Sequence, residues 1–215
     1  MRSHGPKLSV SETIRRSEQA NRKLGHENLG PLSFEHGFIP AEPPVSEFPA
    51  SHRLWDEVAA ELPDLYAALA LRLRLEALPV LDAGPEALPD RWLQRAASVL
   101  GILVHAYHRV EPRRGTPTPR SVAEPWEEVC RRLGRGTPFL AYSDLAVCNW
   151  RHCDPAAERV VRVGNTRLLV PTVGTDEEQF FHLTQLEMLA RGTHVVSAAA
   201  ASARPPAGRR GTPPG

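Results

Sequence analysis

Apolar residues recur at helical spacing through most of the central chain, and the breaks in that rhythm mark its elements. Residues 1–32 are polar and charged without sustained periodicity, an arm with room for a short helix around Val10 to Leu24. Glu35-His-Gly-Phe-Ile-Pro40 reads as an extended entry, and the proline-rich segment 41–50 excludes regular helix. From Ser51, Leu54, Trp55, Val58 and Leu62 follow a 3.6-residue period. Pro63 then suits the first turn of a second helix carrying Leu65, Tyr66, Leu69 and Leu73. Pro79, Gly84, Pro85 and Pro89 mark a loop. Asp90 to Val110 predicts a heavily buried helix, because Leu100 and Tyr107 widen the stripe of Trp92, Ala96, Val99, Leu103 and Ala106. Glu111 to Arg120 is a basic, proline-rich loop whose Arg113-Arg114 pair could bind a phosphate but reads more readily as a solvated turn. Val122, Trp126, Val129, Cys130 and Leu133 form the next stripe.

The segment Pro138 to Pro155 has two readings. Phe139, Tyr142, Leu145 or Ala146, and Trp150 fall on one helical stripe, which predicts a core helix. Beyond it the period shortens. Arg159 to Val170 predicts a β-hairpin with Gly164-Asn165 at its turn. Thr175-Asp-Glu-Glu178 is a capping-box start to a helix running through Arg191 and ended by Gly192. After Val196 the alanine, proline, glycine and arginine tail predicts disorder. The fold class is therefore mainly α with one small β-hairpin. A helical region spans 33–196, between a polar arm at 1–32 and a low-complexity tail at 197–215.

Composition changes this picture little. The 215 residues are 41% hydrophobic and 24% charged with a net charge of +1, which makes no case for nucleic acid or a membrane surface as partner. Only Lys7 and Lys23 are lysines, so arginine carries nearly all the positive charge. No apolar run approaches the roughly 20 residues of a membrane span, and the N-terminus lacks a signal-peptide apolar region, so a cytoplasmic location is expected. Cys130, Cys148 and Cys153 show no disulfide framework. Cys148, His152 and Cys153 would give zinc too few ligands for a closed site, which favours reduced thiols. Dinucleotide, P-loop, nucleophile-elbow and His-Glu-x-x-His motifs are absent from the sequence.

A resemblance sharpens the chemistry. Tyr142-Ser-Asp-Leu-Ala-Val-Cys-Asn-Trp150 resembles the Tyr-x-Asp…Asn-Trp segment of indoleamine 2,3-dioxygenase-like haem proteins. His36-Gly-Phe-Ile-Pro40, Trp55 with Leu62-Pro-Asp-Leu65, Pro119-Arg-Ser-Val-Ala-Glu-Pro125 and Asp176-Glu-Glu-Gln-Phe-Phe181 follow in that family's order, covering about residues 35 to 195. The resemblance implies a haem-dependent dioxygenase that opens the indole 2,3-bond of tryptophan or a substituted tryptophan, with an indole substrate and dioxygen as small-molecule partners. By the same resemblance Tyr142 and Leu145 belong to the distal wall of the haem pocket. Phe180 matches the aromatic that stacks near the indole, and Thr184 a small or polar position facing the bound gas. From periodicity alone, Phe180 is core and Thr184 incidental.

The family's axial histidine, substrate-carboxylate arginine and haem-propionate contacts lie in a long helical second half outside the matched region. His182 and His194 do not occupy the axial position, so no iron ligand and no catalytic residue is assigned. The expectation is the N-terminal portion of such an enzyme, a roof for haem without a floor, which does not hold the cofactor stably alone. Trp92, Leu103, Trp126 and Trp150 are expected in one incomplete core, with self-association through its exposed surface. The alternatives are a non-catalytic remnant or helical binding module of the same fold without haem, and behind both a small zinc or redox protein.

Overall fold

A computed structural model describes residues 36–40, 42–110, 116–154 and 160–202, together with positions 9, 11, 12, 15, 16 and 19. The helices are α1 (Arg53–Ala67), α2 (Leu71–Glu76), α3 (Leu93–Val110), α4 (Arg120–Arg132), α5 (Asp176–Ala190) and α6 (Thr193–Ser202). Between α4 and α5 run a π-helical turn, Ser143–Val147, and the strands β1 (Trp150–His152) and β2 (Thr166–Leu168). The mainly helical class with one small antiparallel sheet is what the sequence predicts.

Helix α3 is the centre of the larger core because nearly all its faces are apolar. Leu93, Ala96, Val99, Leu100, Leu103 and Tyr107 are buried, and α1, α2, α4 and the π turn pack around it. Trp55, Val58 and Leu62 of α1 and Val122, Trp126 and Val129 of α4 complete this cluster. The polar groups that α3 buries are paired. Arg95 forms an ion pair with Asp56, whose other oxygen accepts the Phe48 amide at 2.6 Å, tying the extended entry to α1 and α3.

Helix ends follow backbone chemistry. At the end of α4, Gly134 adopts φ +75°; its amide donates to Arg131 O and that of Arg135 to Cys130 O, a Schellman motif. The end of α1 repeats this geometry with Leu69 at φ 55°, where glycine is the usual residue.

Several sequence expectations need correction. Pro63 does not open a new helix: it lies inside α1, and the break comes at Leu69. A proline removes one backbone donor, and here the partly buried Leu65 and Tyr66 extend the stripe of Leu62 beyond it. The predicted helix from Phe139 to Trp150 is only a π turn, after which Trp150 opens a strand. The stripe is split accordingly: Phe139 and Tyr142 are exposed, while Ala146 and Trp150 are buried. The hairpin also has a different first strand. β2 pairs with β1 in the register Trp150↔Leu168 and His152↔Thr166, whereas Val163–Asn165 is a 3-10 turn. Three-residue strands are too short to show a period, and the valines at 160, 161 and 163 imitate one.

Trp150 does not share the core of Leu103 and Trp126. It centres a second cluster with Ile39, Val161, Leu168, Leu183 and Leu186, while Trp92 packs partly buried on the first. The helical α6 extends past the boundary expected at Val196, as far as Ser202. Arg113-Arg114, most of the arm and residues 203–215 lie outside the described residues.

Candidate distal wall of a cofactor pocket

Helix α5 is built to meet neighbours on opposite sides. The Thr175 hydroxyl accepts the Glu178 amide at 3.3 Å, the first half of the expected capping box. The Glu178 carboxylate does not close the box; it accepts the amides of Thr172, Val173 and Gly174 at 2.7, 3.0 and 2.9 Å and so fixes the incoming loop. At the far end, Phe38 N–H donates to Leu189 O at 3.1 Å. A Cβ on Gly192 would run into the Phe38 ring, so the Gly-Phe-Ile entry docks where α5 ends. Leu183 and Leu186 face the sheet and Trp150. Phe180, Phe181 and Met188 stand 64%, 63% and 69% exposed.

That outer side forms an open hollow of about 750 Å³, lined by Asp176, Glu177, Phe180, Phe181, Thr184 and Gln185. The Thr184 Oγ1 is buried and has no hydrogen-bond partner among the described residues, an arrangement that costs free energy. Phe180 and Thr184 are thus brought together. Leu145 lies on the π turn, which packs against both α3 and α5, and is half-buried against the larger core. Tyr142, at the start of that turn, is 52% exposed. Neither Tyr142 nor Leu145 lines the hollow.

The Asn149-Trp150 pair sets where the turn stops. Trp150 Nε1 donates to Val147 O at 2.9 Å. Asn149 imitates a strand residue with its side chain: Nδ2 donates to Val170 O at 3.0 Å, and Oδ1 accepts Val170 N–H at 2.8 Å. Within the turn, Asp144 is fully buried and receives Arg135, Gln94 and the Ala141 amide.

The cysteine and histidine geometry does not converge on a metal. Burial, reinforced by the Asp144 carboxylate, pushes the Cys148 thiol up to about 12; Cys153 is exposed and Cys130 buried. Among the described residues, no group of three or more histidine, cysteine, aspartate or glutamate side chains is arranged to hold an ion. His182 is half-buried and held below the usual histidine range by that burial, while His194 is exposed. Sequence reasoning missed Phe181 and Gln185 in the hollow and the Asp144–Arg135 pair.

The chain is thus mainly helical, with α5 packed on one side and presenting exposed aromatic rings over an open hollow on the other. A family model for indoleamine 2,3-dioxygenase matches residues 31–207, and the chain belongs to that family. It is 32% identical over 155 residues to indoleamine 2,3-dioxygenase 2 of Homo sapiens, covering 71% of this chain and 37% of that protein. It is 30% identical over 164 residues to indoleamine 2,3-dioxygenase of Saccharomyces cerevisiae (72% and 35%). A 6-hydroxytryptophan 2,3-dioxygenase of Fusarium equiseti is 28% identical over 152 residues (70% and 36%). The chain spans little more than a third of the length of these curated relatives.

The residues present fit one face of a haem. The exposed rings of Phe180 and Phe181 suit a flat apolar partner, and Thr184 Oγ1 has an unmet hydrogen bond. Asp176 and Glu177 are the charged residues of the hollow, so anionic propionates do not belong at that end.

Proposed function

We propose that this chain forms the distal wall of a haem-dependent dioxygenase that opens the 2,3-bond of tryptophan or another indole. The observation that carries the reading is the open hollow that Phe180, Phe181 and Thr184 line together, on a helix whose other side is already packed. Haem, when bound, supplies the redox chemistry toward dioxygen. The chain's own residues bind and exclude. Phe180 offers a flat face for an indole, and such ring pairs contribute about 0.5–1.5 kcal/mol beyond area burial. Thr184 holds one hydrogen bond at the floor of the hollow. Leu145 and Tyr142 extend the wall along the π turn. The ligand for iron and the opposite wall come from outside the described residues.

Ferric haem titrated into the chain and followed by absorption tests this. The expected result is saturable binding without a histidine-ligated spectrum, weakened at least fivefold by Phe180→Asp and unaffected by His182→Ala or His194→Ala. Absence of binding would refute the wall. A stoichiometric histidine-ligated spectrum abolished by either histidine substitution would show that this chain builds a complete site.

A further inference from the structure

We infer that Asp144, clamped by Arg135, is the positioning residue for Tyr142 and Leu145. This rests on the reading of those two side chains as part of the cofactor wall. The π turn carries one residue more than an α turn, and its wide ring is closed by Cys148 N–H donating to Ser143 O at 2.8 Å. The widened turn directs Asp144 inward, with Tyr142 two positions before it and Leu145 one after.

The Asp144 carboxylate is completely buried and accepts from three separate segments. Oδ1 receives Gln94 Nε2 of α3 at 2.6 Å and Arg135 Nη2 at 2.7 Å. Oδ2 receives Arg135 Nη1 and the Ala141 amide, each at 2.8 Å. Its main-chain carbonyl accepts the Ser98 hydroxyl of α3. Arg135 is itself fixed: its amide closes the Schellman motif after α4, Nη1 also donates to Phe139 O at 3.0 Å, and its guanidinium lies 5.1 Å from the Phe139 ring centre. One carboxylate therefore registers α3, the end of α4 and the loop before Tyr142 to each other.

A buried ion pair is a poor device for stability, since apolar replacements of similar volume are often neutral or better. It is a good device for holding one geometry, because bidentate guanidinium–carboxylate contacts are directional. Of the wall side chains that flank Asp144, Tyr142 is exposed with little packing of its own, and Leu145 is half-buried against the larger core. Their placement depends on the turn, and the turn depends on the carboxylate.

The test uses Asp144→Asn, which preserves size and removes the charge, and the double variant Arg135→Met/Asp144→Asn. Amide hydrogen exchange is read by peptide in the whole chain, followed by ferric haem titration of the same samples. For Asp144→Asn, exchange over 139–148 is expected to quicken at least tenfold more than that of the α3 and α4 peptides. The double variant, which leaves no unpaired buried cation, should not restore slow exchange over 139–148. Apparent haem affinity should fall at least fivefold. Unchanged exchange over 139–148 overturns the inference, as does equal loss across α3 and α4, which would make Asp144 a stability residue. Recovery in the double variant also overturns it. If the parent binds no haem, the proposed function fails while the exchange result still decides the role of Asp144.

Discussion

Replacing Asn149 by leucine removes the one side chain that continues the sheet beyond β1. Asn149 and Val170 are each 2% exposed, so water does not take over the lost bonds. The substitution leaves the Val170 N–H, now bonded at 2.8 Å, and its C=O, bonded at 3.0 Å, both unpaired. An unsatisfied buried group costs about 1–3 kcal/mol. Leucine has the same heavy-atom count and branching as asparagine, so no cavity opens, and its bulkier methyls can only add to the loss. The two groups together set the loss at about 3 kcal/mol, more than a hundredfold in the folded-to-unfolded ratio. Urea unfolding followed by tryptophan fluorescence measures it, with the slope expected to match the parent's. A midpoint shift worth less than about 0.5 kcal/mol would refute the reasoning, because unpaired buried groups then carry no penalty at this site.

Leu69→Gly should stabilise the chain by about 1 kcal/mol in the same assay, since Leu69 holds a left-handed φ of 55° that glycine adopts without strain; an unchanged or lower midpoint would contradict this. At pH 8 a disulfide reagent should modify Cys153 quickly. Cys148, whose thiol is pushed up to about 12, carries a thiolate fraction on the order of one in ten thousand and should react only on unfolding; fast modification of two thiols would oppose this. Burial holds His182 below its ordinary value, so the folded chain binds fewer protons there than the unfolded chain once pH falls below about 6.5. That contribution to stability is present above this pH and is lost as pH falls toward the lower folded value. His182→Gln should therefore show a shallower loss of stability between pH 6.5 and 5, and identical slopes would remove His182 from the account.

The long helices were legible in the sequence because their stripes last several turns, as Trp92 to Tyr107 and Val122 to Leu133 show. The capping threonine and the terminal Gly192 were legible for the same kind of reason, as each residue type answers a local backbone need. The segment 139–150 misled because Tyr142 and Trp150 fit a helical stripe that the chain does not follow. What organises that segment is non-local: Asp144 meets Gln94 of α3, fifty positions away, and Asn149 meets Val170. Phe180 and Thr184 were placed by resemblance, while the exposure of the ring and the orphaned hydroxyl emerge only once Leu183 and Leu186 are seen to claim the other side of α5.

Hydrogen-exchange footprinting of the chain with and without ferric haem tests the central claim most directly. The account predicts slower exchange at 139–148 and 176–185, with no change in the second hollow, where His36, Trp150 and Arg162 meet. Protection confined to that second hollow, or protection spread evenly over the chain, would contradict the assignment of Phe180, Thr184, Tyr142 and Leu145 to a cofactor wall.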